Sequence, residues 1–200
     1  CIYVEIRYFL NSARSSCRLS VVGGRIVGQM NLSQTVLGIT FENPTVLASG
    51  ILGLTSSTWK DVAKKGAGGI TTKSLWAKEH KGHPNPTIIE TEHWMLNAVG
   101  LPDAGPEKAN EEIADFMKDH PVPLIANIVA GLIEDYAKTA EGLVPLSPDA
   151  FEVNISCPNV EDEFGKPFAC SAPDAAKVTA AVKKVVGDIP MFVKLSPNVD

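Results

Sequence analysis

The stretch of this chain richest in chemistry is Glu152 to Val160, EVNISCPNV. A strand ending in Asn-x-Ser-Cys-Pro-Asn sets a thiol just past its carboxyl end, and the proline after Cys157 holds the loop extended. A thiol there can accept a proton or act as nucleophile once a neighbouring cation favours its thiolate. The plain alternative is a half-buried cysteine that fills space. The flanking Asn154 and Asn159 offer amides able to hold a polar planar ligand. Lys73, after GITT, and Lys194, in VKLSPN, are lysines at the ends of apolar runs. An ammonium is costly there unless it meets a ligand or counter-charge. Either alone could reach out to solvent; two together suit an electron-rich cofactor or an acidic substrate. A third stretch, NAVGLPDAG from Asn97 to Gly105, joins an amide to a Gly/Pro loop whose N–H groups can face an anion, or simply turn the chain.

Other residues carry less. GAGG at 66–69 lacks dinucleotide and P-loop spacing and precedes a strand, so it reads as a helix stop. His80, His83, His93 and His120 have no metal-site spacing and are expected to be solvated or locally bonded, and Cys157 and Cys170 lack the further Cys or His pair of a zinc site. No metal is expected. Trp76, Trp94 and Met95 are expected to pack the long segment between Ser74 and Asn97.

The elements that must position these residues alternate. Strand-length apolar runs occur at 44–49, 69–72, 123–128, 151–156 and 191–195. Helix-period segments separate them: one capped by Ser57 or Thr58 and stopped by Gly66, one at 106–120 with Pro106 near its start, one at 132–142, and one from Pro173 to Gly187 with a Val178, Val182, Val185 stripe. Strands apolar nearly throughout, with helices between, are expected to be parallel and covered on both faces. That leaves a doubly wound sheet or a (β/α)₈ barrel. Ser49, Lys73, Asn127, Asn154 with Cys157, and Lys194 each lie at the end of a different strand; a barrel gathers such ends around one mouth, whereas an open sheet converges only those beside its switch point, so five such ends favour the barrel.

Composition sets the outer bounds. Hydrophobic residues make up 44% and charged residues 20% of the 200 residues, which excludes a disordered chain. Four cysteines are too few for a disulfide scaffold, and no apolar run approaches the ~20 residues that span a bilayer. A cytoplasmic protein with no membrane partner is expected. The net charge is −5, and residues 30–200 hold 14 basic against 22 acidic residues, a poor match to nucleic acid. Residues 1–29 carry four arginines against one glutamate and no sustained period, so they read as an extension outside the domain at 30–200. Met30 then marks the start of the domain, with upstream translation, an organelle leader and, last, a secretory signal as explanations of what precedes it.

Taken in order, NPTVLASG, TTKS, NAVGLP, ANI, NISCPNV and VKLSPNV, between Met30 and Asp200, resemble class 1 dihydroorotate dehydrogenase, of the type B kind. The resemblance implies a (β/α)₈ TIM barrel, incomplete here because 30–200 falls short of the ~250 residues typical of one and reaches about five strands. It implies FMN as cofactor and oxidation of dihydroorotate to orotate in pyrimidine biosynthesis. On the matching motifs, Ala48, Ser49, Lys73, Ser74, Asn127, Asn154 and Lys194 contact the flavin. Lys73, Asn97, Ala98, Val99, Gly100, Leu101, Asn154 and Asn159 hold the substrate, and Cys157 is the catalytic base, with Lys73 beside it. A type B enzyme implies a partner subunit with FAD and an iron–sulfur cluster, and a homodimer or heterotetramer. EDEFGKPFAC departs from this pattern: its Gly-Lys-Pro resembles the fumarate-using type A, and FAC resembles dihydropyrimidine dehydrogenases. Their dihydrouracil or dihydrothymine substrates carry no carboxylate to occupy an anion loop, so the intact NAVGLP favours dihydroorotate. An inactive fragment is the remaining alternative.

Overall fold

The computed structural model describes residues 17–22, 25–157 and 165–196. Two antiparallel hairpins come first: β1 (Cys17–Val22) with β2 (Arg25–Met30), and β3 (Gln34–Val36) with β4 (Ile39–Phe41). The first lies mostly within residues 1–29, where the sequence shows no sustained period. Its signal is short: two six-residue runs around Gly23-Gly24, a pair that tight hairpin connections favour.

The main sheet begins with β5 (Val46–Leu47), and α1 (Ser56–Lys64) leads to β6 (Gly69–Thr71). A third hairpin, β7 (Ile88–Glu90) and β8 (Met95–Asn97), stands apart from the sheet. Then follow α2 (Pro106–Asp119), β9 (Leu124–Ile128), α3 (Ile133–Leu143), β10 (Ala150–Asn154), α4 (Ala172–Val186) and β11 (Met191–Lys194). Strands β5, β6, β9, β10 and β11 are all parallel, and each lies beside the one before it in sequence. A doubly wound sheet reverses direction at a switch point, whereas a barrel adds each strand to the same edge. The order here has no reversal, and the chain forms an arc of an incomplete (β/α)₈ barrel.

The strands' period of two sorts their residues between unlike faces. Leu124, Ala126 and Ile128 of β9 and Phe151 and Val153 of β10 pack with Trp59, Ile113, Phe116, Tyr136, Ala140, Val178 and Val182 from the four helices. Truncating such a fully buried side chain to alanine costs ~2–5 kcal/mol. The intervening residues face the other way. Near the strands' amino ends, Ile125 and Ala150 pack with Phe41 of β4, whose ring lies where a Cβ on Gly69 would stand, 2.8 Å from Cε1. Only glycine admits that plug. Toward the carboxyl ends the same face carries Asn127, Glu152 and Asn154. Helices therefore cover one face, not both, because the second is the barrel's inner surface.

Local sequence accounts for the helix limits. The cap of α1 is Thr55, whose Oγ1 accepts the Thr58 N–H, so the helix starts earlier than Ser57 or Thr58 would allow. Helix α4 is capped by Ser171, and its buried stripe is Val178, Val182 and Val186; Val185, expected in that stripe, is only half-buried one position round the helix. Trp76 is buried as expected, but Trp94 and Met95 are 56% and 52% exposed, carried outward on the β7–β8 hairpin. Among the described residues no helix is long and apolar enough to cross a membrane.

Candidate active site

Lys73 is delivered by a break in the β6–β9 ladder. The N–H groups of Ile70 and Thr72 reach the carbonyls of Pro123 and Ile125, a regular step of two. The next carbonyl, of Asn127, is taken by Leu75 and not by Ser74, so one extra residue bulges out. The Lys73 N–H turns aside to the Gly53 carbonyl at 2.6 Å, and the Thr72 hydroxyl accepts the Asn127 N–H at 2.9 Å. The backbone passes so near Gly53 that a Cβ there would stand 2.5 Å from the Lys73 nitrogen.

Cys157 arrives through a turn built by Asn154. The Asn154 side-chain oxygen accepts from Ser156 N–H and Oγ–H at 3.3 and 3.0 Å, curling the chain after β10. Its Nδ2 donates to Ser74 Oγ at 3.2 Å, tying the end of β10 to the bulge, while the Tyr136 hydroxyl donates to the Asn154 carbonyl at 2.7 Å. The half-buried thiol of Cys157 packs against Trp76, Leu101 and Val129. Burial keeps Tyr136 protonated.

Three strand ends meet electrostatically at Lys73. Burial pushes its ammonium below the ordinary lysine value; attraction to Cys157 opposes this, repulsion from Lys194 adds to it, and Asp103 helps to hold the charge. Asp103 is itself raised, first by burial, against the N–H groups of Trp76, Gly105 and Ala104 and the charge of Lys73. Deeper on the inner face, Glu152 Oε1 accepts from Asn127 Nδ2 at 2.6 Å and pairs with Lys194 Nζ at 3.1 Å.

The loop after β8 is fixed against the same cluster. Trp76 donates its indole N–H to the Leu101 carbonyl at 2.9 Å and its backbone N–H to Asp103 Oδ2 at 2.9 Å, and its ring stacks on His80 at 4.3 Å. His83 donates its N–H to the Val99 carbonyl at 3.1 Å, and its Nδ1 lies 3.0 Å from the Ala98 carbonyl oxygen. Gly100 and Leu101 adopt left-handed φ of 73° and 53°; for leucine that is a strained conformation held by its surroundings.

Of the residues singled out by sequence, Lys73, Ser74, Asn127, Asn154, Cys157 and Lys194 are thus joined by contact or charge, and Leu101 packs with Cys157. Gly100 is buried beside Leu101, while Asn97 and Val99 are half-buried and Ala98 exposed along the loop. Ala48 and Ser49 follow β5 at the sheet edge next to β6, half-buried. Asn159 lies outside the described residues. His80, His83 and His120, the last 2.7 Å from Asp149 Oδ2, are locally bonded as expected.

Two carboxylates were missed. Glu152 had a signal, since it stands two residues before Asn154 on the same strand and so on the same face. Asp103 had none, lying in a loop whose path only the fold sets. Among the described residues no group of three His, Cys, Asp or Glu side chains is placed to hold a metal.

The donor set fits a flavin. Asn127 Oδ1 is buried without a hydrogen-bond partner, an acceptor awaiting an N–H, and Lys194 and Lys73 are cations on the same polar face.

Comparison with known proteins gives the family. Residues 31–200 match the family model described as dihydroorotate dehydrogenase. The chain is 42% identical over 169 residues to the dihydroorotate dehydrogenase B (NAD(+)) catalytic subunit of Methanosarcina mazei, covering 84% of this chain and 53% of that protein. The catalytic subunits of the same name from Pyrococcus horikoshii and Methanocaldococcus jannaschii are each 40% identical, over 84% and 86% of this chain and 54% and 56% of theirs. The chain spans about half the length of these curated relatives.

Proposed function

The chain belongs to the dihydroorotate dehydrogenase family, and on that premise we propose that it carries the substrate-side chemistry of an FMN-dependent oxidation of dihydroorotate to orotate in pyrimidine biosynthesis. The observation that carries this reading is the joining of three strand ends: Ser74, next to Lys73, is hydrogen-bonded to Asn154, three residues before Cys157, and Lys194 is paired with Glu152 on the same strand as Asn154. FMN, when bound, supplies the acceptor for the hydrogen and electron pair leaving substrate C6. Ala48, Ser49, Lys73, Ser74, Asn127, Asn154 and Lys194 hold it. Cys157 Sγ takes the proton from C5 as the general base, with the charge of Lys73 acting on the same site. Asn97 to Leu101 receive the substrate carboxylate, with Lys73, Asn154 and Asn159 fixing the ring. Trp76, Leu101 and Val129 shield the thiol from water.

Relatives named as NAD(+)-type B catalytic subunits support an NAD-linked enzyme that works with a second subunit; as part of the same proposal, that subunit carries FAD and an iron–sulfur cluster, in a cytoplasmic homodimer or heterotetramer. The dihydropyrimidine alternative is not favoured by those relatives. In the full-length protein, Cys157→Ser should retain FMN but slow its reduction by dihydroorotate near neutral pH by about 10²–10⁴-fold, the ordinary worth of a positioned base. Stopped-flow flavin bleaching at the wild-type rate, or faster bleaching by dihydrouracil than by dihydroorotate, defeats the reading.

A further inference from the structure

Glu152 is a carboxylate on the inner face of β10, its side chain only 11% exposed, and the chemistry above gives it no task. A carboxylate at such a site costs free energy unless paired and hydrogen-bonded. Its partners, Asn127 Nδ2 at 2.6 Å and Lys194 Nζ at 3.1 Å, are both residues assigned above to the flavin.

Two consequences follow from the geometry. An amide that gives Nδ2 to a carboxylate has its orientation fixed, because the flipped form would set two acceptor oxygens against each other. Asn127 Oδ1, buried and unpartnered, is therefore turned away from Glu152 and left as an acceptor. The ammonium of Lys194, in turn, has part of its charge offset by Glu152 while keeping protons to donate.

We propose that Glu152 is a positioning residue of the flavin site: it fixes Asn127 as acceptor and Lys194 as donor, and its charge limits how far Lys194 favours the reduced, anionic flavin over the oxidised one. This rests on the FMN reading above. The carboxylate acts through two neighbours and touches no reacting atom. Its signature is a flavin potential coupled to Lys194.

The test uses the full-length protein loaded with FMN, with the midpoint potential measured by dye equilibration and FMN affinity by fluorescence. Glu152→Gln keeps the shape and removes the charge. It should favour reduced over oxidised FMN by about tenfold, an upward shift of ~30 mV for a two-electron couple. In a Lys194→Gln background the same substitution should shift the potential by less than half as much, a coupling that a merely structural role would not produce. An unchanged potential in folded, FMN-loaded Glu152→Gln, or an equal shift in both backgrounds, overturns the inference and leaves the FMN reading standing. If Glu152→Gln fails to fold, Glu152→Asp, which withdraws the carboxylate from Asn127 and Lys194, decides: a changed potential that Lys194→Gln diminishes supports the inference and an unchanged one overturns it. A wild-type protein that takes up no FMN overturns the FMN reading itself, and the inference with it.

Discussion

Lys73 shows how a single residue's charge ties stability to ligand binding. Burial lowers its affinity for protons, so between that lowered value and the ordinary 10.5 the folded state binds fewer protons than the unfolded. Stability then rises with pH across that window. Anion binding runs the other way: it needs the ammonium, is full below the lowered value and is lost as pH climbs through it. Orotate titrations of the full-length protein should therefore show affinity falling before pH 10.5 is reached; a fall that sets in only at or above that value removes Lys73 from the site. Replacing Lys73 by methionine should weaken orotate binding by about 10–100-fold, the worth of a charged hydrogen bond at ~1.5–3 kcal/mol, and flatten the pH dependence. The sequence marked Lys73, Cys157 and Lys194 because lysines at the ends of apolar runs and a thiol before proline are chemically conspicuous. It did not mark Asp103, whose charge acts on Lys73 only once the loop has folded back on Trp76.

At the scale of elements, the bulge after β6 decides where Lys73 points, and it depends on Gly53. Gly53→Ala would push a methyl to within 2.5 Å of the Lys73 nitrogen and 2.9 Å of the Thr72 carbonyl carbon. Overpacking of backbone against backbone should cost ~1–3 kcal/mol in urea unfolding and weaken FMN binding, since the bulge must move. Helices α1 and α2 are joined by Ser56, whose hydroxyl donates to Asp115 Oδ2 at 2.6 Å, and by Lys60 at 2.9 Å from the same oxygen. The Ser56 hydroxyl first, and Lys60 next, hold the Asp115 carboxyl down at about 2. A depressed carboxylate adds stability above its unfolded value near 3.8, and that contribution drains away as pH falls toward about 2. Ser56→Ala should accordingly move the acid-unfolding midpoint, followed by circular dichroism, to higher pH; no movement rejects the link. The helices themselves were legible in Pro106, in the apolar period and in the glycine stops. Thr55 does not stand out as the cap in the sequence, because Ser57 and Thr58 offer the same hydroxyl chemistry nearby and only backbone geometry chooses among them.

For the molecule as a whole, the strand order places β5 and β11 at the two edges of the sheet among the described residues. Edge strands present unpaired backbone groups that pair readily with other chains. The 200-residue chain expressed by itself should elute as self-associated species at micromolar concentration, and a stable monomer by light scattering contradicts that expectation. The sequence by itself determined the alternation of parallel strands and helices, the polar residues at the strand ends and the family, because apolar period and motif order are written locally. Tertiary structure alone decided the rest: that the strands add in sequence without reversal, that one face meets helices while the other becomes a polar inner wall, that Glu152 pairs with Lys194, and that the charge of Asp103 acts on Lys73. Those outcomes depend on which distant segments pair, and a carboxylate gains its meaning only from the charge that folding brings to it.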